Sequence, residues 1–285
     1  MQARNLSPTF DRAADDVGNV VAFEHVNLTV ADQQIAALFY VTGLGGTRDP
    51  YIDFGTFNMW INVGEQQFHL PKAKSQRWRG HIGVAVPDLA ELAQRLERIK
   101  KPLKDTEFRF AEREGYLEVF CPWGNELRCY TGHSSGQSLG IPYVEMLVPP
   151  GTAEGIARFY RRVLGSPAST QRGTTVVSMG RYQQIRFIEA DAEIAPYDGH
   201  HIAIYVASFS TPHRWLAARN LISEESDAHQ YRFQAIVDPD SGTLLTELEH
   251  EVRSLHHPMY NRPLVNRNAA NGFMNYKRGH EVFVP

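Results

Sequence analysis

The sequence predicts an α+β protein built from four βαβββ modules that pair into two cup-shaped mixed-sheet domains. Three observations predict it. Four segments repeat one order of strand, break and helix. Their opening strands alternate in the same phase. Each helical segment is followed by short strand-like runs separated by turn residues.

The four openings are "HVNLTVADQQIAALFYVTGLG" from His25, "HIGVAVPDLAELAQRLERIKKPL" from His81, "EMLVPPGTAEGIARFYRRVLG" from Glu145 and "HIAIYVASFSTPHRWLAARNLI" from His201. Side chains alternate across a strand, so Val26, Leu28 and Val30 share one face, opposite His25, Asn27 and Thr29. Ile82, Val84 and Val86 oppose His81, Gly83 and Ala85. Met146 and Val148 oppose Glu145 and Leu147, and Ile202, Ile204 and Val206 oppose His201, Ala203 and Tyr205. The apolar face packs on the module's helix. The other face, which carries the opening residue, is left free, and the small Gly83, Ala85 and Ala203 leave room there for a ligand.

The helices follow from spacing. Leu89, Leu92, Leu96 and Ile99 recur with helical period, as do Ile156, Phe159 and Val163 and, less strictly, Ile35, Leu38 and Phe39. Asp32 and Asp88 suit N-caps, Asp88 with Glu91 reads as a capping-box variant, and Pro212 suits a first helical turn. Strand pairs such as "FNMWINV"/"QQFHLP", "GYLEVF"/"ELRCY", "TTVVSMG"/"QQIRFIE" and "YRFQAIV"/"TLLTELE" complete the modules. One helix leaves half of a four-stranded unit bare, and pairing two units curls their sheets into a cup lined by that bare face.

Residues 1–19 read as a flexible lead-in, 20–132 as a domain of modules one and two, and 133–141, polar and Gly/Ser-rich, as a linker. Residues 142–251 read as a domain of modules three and four, and 252–285, which lack the repeat, as a C-terminal extension able to lie against the second cup.

The chain has 285 residues, 42% hydrophobic and 21% charged, with a formal net charge of −3. This is the composition of a globular protein, with no basic block for nucleic acid and no apolar run for a membrane. The lead-in lacks the apolar stretch of a secretory signal, and two cysteines, Cys121 and Cys129, make no disulfide framework. A reducing cytoplasm is the expected compartment, a small molecule the expected partner, and a homo-oligomer is open.

"RGHIGVAVPDL" at 79–89, the order of ligand residue, strand, Phe-Tyr helix and Leu-Gly, and the closing turns "CPWGNELRCY" and "DPDSGTLLTEL" resemble the vicinal oxygen chelate superfamily. That superfamily includes glyoxalase I, bleomycin and fosfomycin resistance proteins and extradiol dioxygenases. The resemblance covers about residues 20–250 and implies at most one divalent metal per cup, held by first-strand and last-strand side chains. Carried over, the first cup offers His25, His69, His81 and the Arg128 position. The second offers Glu145, the Arg186 position, His201 and a carboxylate near Glu247.

A guanidinium has no lone pair for a cation, so Arg128 argues against a metal in the first cup. A three-histidine site of His25, His69 and His81 stays open there, against a role for them as hydrogen-bonded interior groups, with Arg128 binding an anion or pairing with Glu126 or Glu118. In the second cup Glu145, His201 and Glu247 form the expected metal set, with Glu249 in reserve. Fe(II) or Mn(II) is favoured, and Zn, Ni or Co also suits such ligands. The layout implies an extradiol-dioxygenase-like enzyme with its site in the C-terminal domain. His229 and Tyr231 are the candidate acid/base and hydrogen-bonding groups, against a surface role for His229. A glutamate in place of a ligand histidine keeps glyoxalase- or isomerase-type lyase chemistry as an alternative. A metal-free drug-sequestering protein, its cup lined by Trp60, Trp78, Trp123 and Tyr205, is another. His256 and His257 read as part of a solvated or docking tail.

Overall fold

The computed structural model describes residues 11–52, 55–131, 136–263, 267–268 and 270–281. Parts of four expected segments lie outside these: 1–10 of the lead-in, 53–54 and 132 of the first domain, 133–135 of the linker, and 264–266, 269 and 282–285 of the extension.

Module one runs β1 (Val20–Asn27), α1 (Gln33–Ala36, continued by the wider π-helical turn Ala37–Gly43), β2 (Thr47–Arg48), β3 (Asn58–Val63) and β4 (Gln66–Pro71). Module two runs β5 (Gly80–Ala85), α2 (Leu89–Ile99), β6 (Arg109–Arg113), β7 (Tyr116–Phe120) and β8 (Glu126–Tyr130). Module three runs β9 (Gly140–Val148), α3 (Ala153–Phe159, continued by Tyr160–Leu164), β10 (Ala168–Gln171), β11 (Thr174–Ser178) and β12 (Gln184–Glu189). Module four runs β13 (His201–Val206), α4 (Ser210–Ala217), β14 (Ile222–Asp227), β15 (Gln230–Val237) and β16 (Leu244–Ser254). The expected caps form. Asp32 accepts from the Gln34 and Ile35 amides, and Asp88 from Glu91.

The strands make two eight-stranded mixed sheets, as the α+β expectation required, but the partners differ from those expected. One sheet has the order β14-β15-β16-β13-β1-β4-β3-β2, the other β10-β11-β12-β9-β5-β8-β7-β6. Module one therefore pairs with module four, through antiparallel β1 and β13, and module two with module three, through β5 and β9. Consecutive modules do meet, but through their helices. Phe39 contacts Phe108, and a Cβ on Gly43 would strike Ile99 at 2.4 Å. Between modules three and four, Phe159 meets Trp215 and Phe233, and the Tyr160 hydroxyl bonds His250. The apolar faces of all four modules join one buried core shared by both sheets. The alternation that predicts each strand is the same in every module, so it does not encode which module pairs with which.

The end of the lead-in is docked: Asn19 bonds Gly165, Leu164 and Ala207 through backbone and side chain. The C-terminal extension returns over the cup of modules one and four. Met259 packs with Tyr51, Ile52 and Trp60, and buried Arg262 forms an ion pair with buried Asp49. No helix among the described residues is long and apolar enough to cross a membrane.

Candidate metal centre

The cup of modules one and four concentrates imidazoles and charge on its free face. His25 on β1, His69 on β4 and His201 on β13 each present a ring nitrogen, all within 4.8 Å of one another. The ring centroids are 5.4 Å apart for His25 and His69 and 5.9 Å for His25 and His201. Glu251 on β16 faces the same space, its Oε2 3.7 Å from His201 Nε2. The two halves correspond. His25 is in register with Gln67 and His69 follows one pleat on; His201 is in register with Glu249 and Glu251 follows one pleat on. The other sheet carries Arg128 and Ile188 at the equivalent places.

The nitrogens that face the shared space have no hydrogen-bond partner among the described residues. His25 Nε2, both nitrogens of His69 and His201 Nε2 are buried without a hydrogen bond. An unsatisfied buried polar atom costs about 1–3 kcal/mol, so a cluster of them is one that a bound metal ion could satisfy. By contrast, the outward nitrogens of the two first-strand histidines meet carboxylates: His25 Nδ1 lies 3.0 Å from Glu24 and His201 Nδ1 3.4 Å from Glu249. A carboxylate behind a ligating imidazole is the usual support of a metal site. Titration agrees. Burial, with His25 adding to it for both and His201 for His69, holds His69 well below 6.5 and His201 near 3, so both keep a free lone pair. Burial on its own would lift Glu251, but Arg253, His25 and Arg232 outweigh it and hold the carboxyl at about 2. Neutral His69 and His201 imidazoles with an ionised carboxylate are donors suited to a divalent transition metal.

Glu24 reaches this face through a β-bulge. The pairing of β1 with β13 shifts between Phe23 and His25, so the consecutive residues Glu24 and His25 both enter the cup while Phe23 and Val26 stay in the core. Glu24 also accepts from Tyr205 at 2.7 Å and pairs with Arg253. Arg253 pairs in turn with Glu251, and Arg232 bridges Glu249 at 2.9 Å and Glu251 at 2.6 Å. The Trp60 indole stacks on His69 at 4.0 Å. A cavity of about 420 Å³ adjoins the network, with Glu24, Gln67, Tyr205, Met259 and Arg262 among its lining.

The expected trio Glu145, His201 and Glu247 is not brought together. Only His201 lies in the histidine cluster. Glu145 belongs to the other sheet, where it pairs with His81 at 3.1 Å, because module three pairs with module two. Glu247 shares the face of Glu251 but lies before the register partner of His201 rather than after it, and is bonded by Gln234. β16 is longer than β8, so counting from Gly242 stops short of Glu251.

His229 and Tyr231 are also displaced. His229 sits in the turn between β14 and β15, its amide bonded to Asp227. Tyr231 points to the helix face against Phe209 and His213. The cup-facing residue of this stretch is Arg232. Of the expected aromatic lining, Trp60 and Tyr205 reach the site. Trp78 packs on His200 and Trp123 against the core.

The cup of modules two and three is different. The room expected beside Gly83 is filled by Tyr143, whose ring lies 2.2 Å from where a Cβ would stand. His81 bonds the Tyr143 hydroxyl at 3.0 Å, Arg128 pairs with Glu126, and Arg186 lies over the Tyr143 ring. Its polar side chains are thus partnered with each other. The reading of Arg128 as a partner of Glu126 matches this arrangement.

Glu24 and Glu251 carry the site further than the sequence reading did. In the sequence, Glu251 is the last of three acidic residues, after Glu247 and Glu249, that alternate along one strand face. For Glu24 the signal was a charged residue interrupting the alternation in "VAFEHVNL", the mark of a bulge.

No family model and no curated protein matches this chain. Solved structures do. Glyoxalase I from Zea mays superposes with a TM-score of 0.57 at 15% identity, covering 82% of this chain and 92% of that one. A "putative dioxygenase" from Bacillus subtilis subsp. subtilis str. 168 superposes with a TM-score of 0.53 at 15% identity, covering 83% and 86%. The chain shares the fold of these two structures.

Proposed function

We propose that the cup of modules one and four binds a divalent metal ion through His25, His69, His201 and Glu251, and that the protein is an enzyme acting on a small molecule with neighbouring oxygens. The observation that carries this is the set of buried, unpartnered imidazole nitrogens beside an ionised carboxylate. The bound ion would supply Lewis acidity, lowering the pKa of a coordinated hydroxyl or stabilising an enediolate. The protein's own part is to hold that set rigid. Trp60 fixes the His69 ring, Glu24 and Glu249 back His25 and His201, and the C-terminal extension covers Trp60.

With His25, His69, His201 and Glu251 all holding the ion, few places would be left for both a two-oxygen substrate and dioxygen. This favours proton-transfer chemistry of the glyoxalase or isomerase type over ring cleavage. The stacking of His69 on Trp60 supports a second reading. If the indole keeps His69 off the ion, His25, His201 and Glu251 form the two-histidine, one-carboxylate set of non-haem Fe(II) oxygenases.

Elemental analysis of protein purified without chelator, then reloading of the metal-free protein with Ni(II), Co(II), Zn(II), Mn(II) or Fe(II), tests both readings. Reloaded samples are offered catechols and α-hydroxycarbonyl adducts, with and without air. Turnover of the carbonyl compounds without oxygen supports the first reading. Oxygen consumption with a catechol on Fe(II) alone supports the second. Protein that binds none of these ions is a metal-free binding module, and the enzyme reading is lost.

A further inference from the structure

We propose that Glu24 is a positioning residue: the β-bulge in β1 places its carboxylate against His25 Nδ1 so that His25 Nε2 is turned to the ion. This rests on the metal-centre reading above, and its geometry is independent of it. In a regular strand Glu24 would point opposite to His25, into the apolar face that holds Phe23 and Val26. The register shift between Phe23 and His25 puts both side chains in the cup instead. There Glu24 Oε2 meets His25 Nδ1 at 3.0 Å and Arg253, while Oε1 accepts from Tyr205 at 2.7 Å.

Three partners hold the carboxylate, and an ionised carboxylate only accepts hydrogen bonds, so the proton on this contact sits on Nδ1. The Nε2 lone pair then faces His69 and His201, and Nε2 is the nitrogen of His25 left without a partner. The same carboxylate lines the neighbouring cavity, so a ligand bound there would touch the group that orients His25.

The test uses two readouts on the full chain. Long-range nitrogen–proton NMR of the metal-free protein reports the His25 tautomer, and Co(II) titration reports affinity. Wild type is expected to show the Nδ1–H form. In Glu24→Gln that form should be lost or mixed, and the Co(II) dissociation constant should rise about 10–100-fold. Tyr205→Phe removes one of the three partners of Glu24 without touching His25, and should weaken Co(II) binding by less than Glu24→Gln does. A purely structural Glu24, needed only as a partner for Arg253, would lower the melting temperature of Glu24→Gln but move neither readout. An Nε2–H form in wild type overturns the proposal without any variant, as does an unchanged tautomer with unchanged affinity in Glu24→Gln. Should wild type bind no Co(II), the metal reading fails, and the tautomer comparison still decides the role of Glu24.

Discussion

Replacing His69 by alanine separates a metal ligand from an ordinary cup histidine. Both of its ring nitrogens are buried and unbonded, so truncation breaks no hydrogen bond. It removes the stacking on Trp60 at 4.0 Å but also relieves two unsatisfied atoms, worth about 1–3 kcal/mol each. These effects oppose each other, so the metal-free variant should lie within about 2 kcal/mol of wild type. The metal-dependent part should change far more. At a free ion concentration of about 100 times the dissociation constant, binding stabilises wild type by about 2.7 kcal/mol. For 285 residues, at about 2.1 cal/mol/K of unfolding entropy per residue, that is about 4–5 °C in melting temperature. Loss of a direct ligand should weaken binding at least about 100-fold, the upper range for loss of a mere supporting group. The remaining stabilisation is then about 0.4 kcal/mol, less than about 1 °C. Thermal melts with and without Ni(II) or Co(II), followed by circular dichroism, measure both terms. A variant that keeps the full metal-induced shift would show that His69 does not hold the ion.

Other predictions concern groups around the site. His201 near 3 and His250 near 4 both lie below their unfolded value of 6.5, each chiefly through burial. Below pH 6.5 the unfolded chain takes up protons that the fold refuses, so the metal-free protein should lose stability as pH falls from about 6.5 toward about 3, by up to about 1.4 kcal/mol per pH unit per group. Urea midpoints that stay constant from pH 7 to 4.5 would contradict this. Tyr231→Phe removes a hydroxyl that is buried without a partner, so the variant should be unchanged or more stable by about 1 kcal/mol, and a large loss would mean that the hydroxyl has a role. Arg262→Ala leaves Asp49 without its guanidinium and should cost about 3 kcal/mol, with trypsin cleaving the C-terminal segment sooner than in wild type. His229→Gln, in a turn away from the cluster, should leave metal affinity within about 0.5 kcal/mol of wild type.

The fold was largely legible because its signals are local. Alternation in "HIGVAVPD" and helical spacing in "LAELAQRLERI" each report a face to be buried, and the Asp88 cap that precedes α2 is read from the same few residues. His25, His69 and His201 were each marked as candidates, but His69 and His25 were placed in one cup and His201 in another. The reason is that the four opening strands share one apolar pattern, and nothing in it states whether module one joins module two or module four.

The sequence by itself determined four modules, their strands and helices, and that each module offers a polar residue to a free face. Tertiary structure alone decided which free faces meet. It also set how far along β16 the carboxylate lies and that a bulge turns Glu24 inward. Pattern depends on neighbours within a few residues. A metal centre assembled from β1, β4, β13 and β16 depends on strand partners chosen by packing across the whole chain.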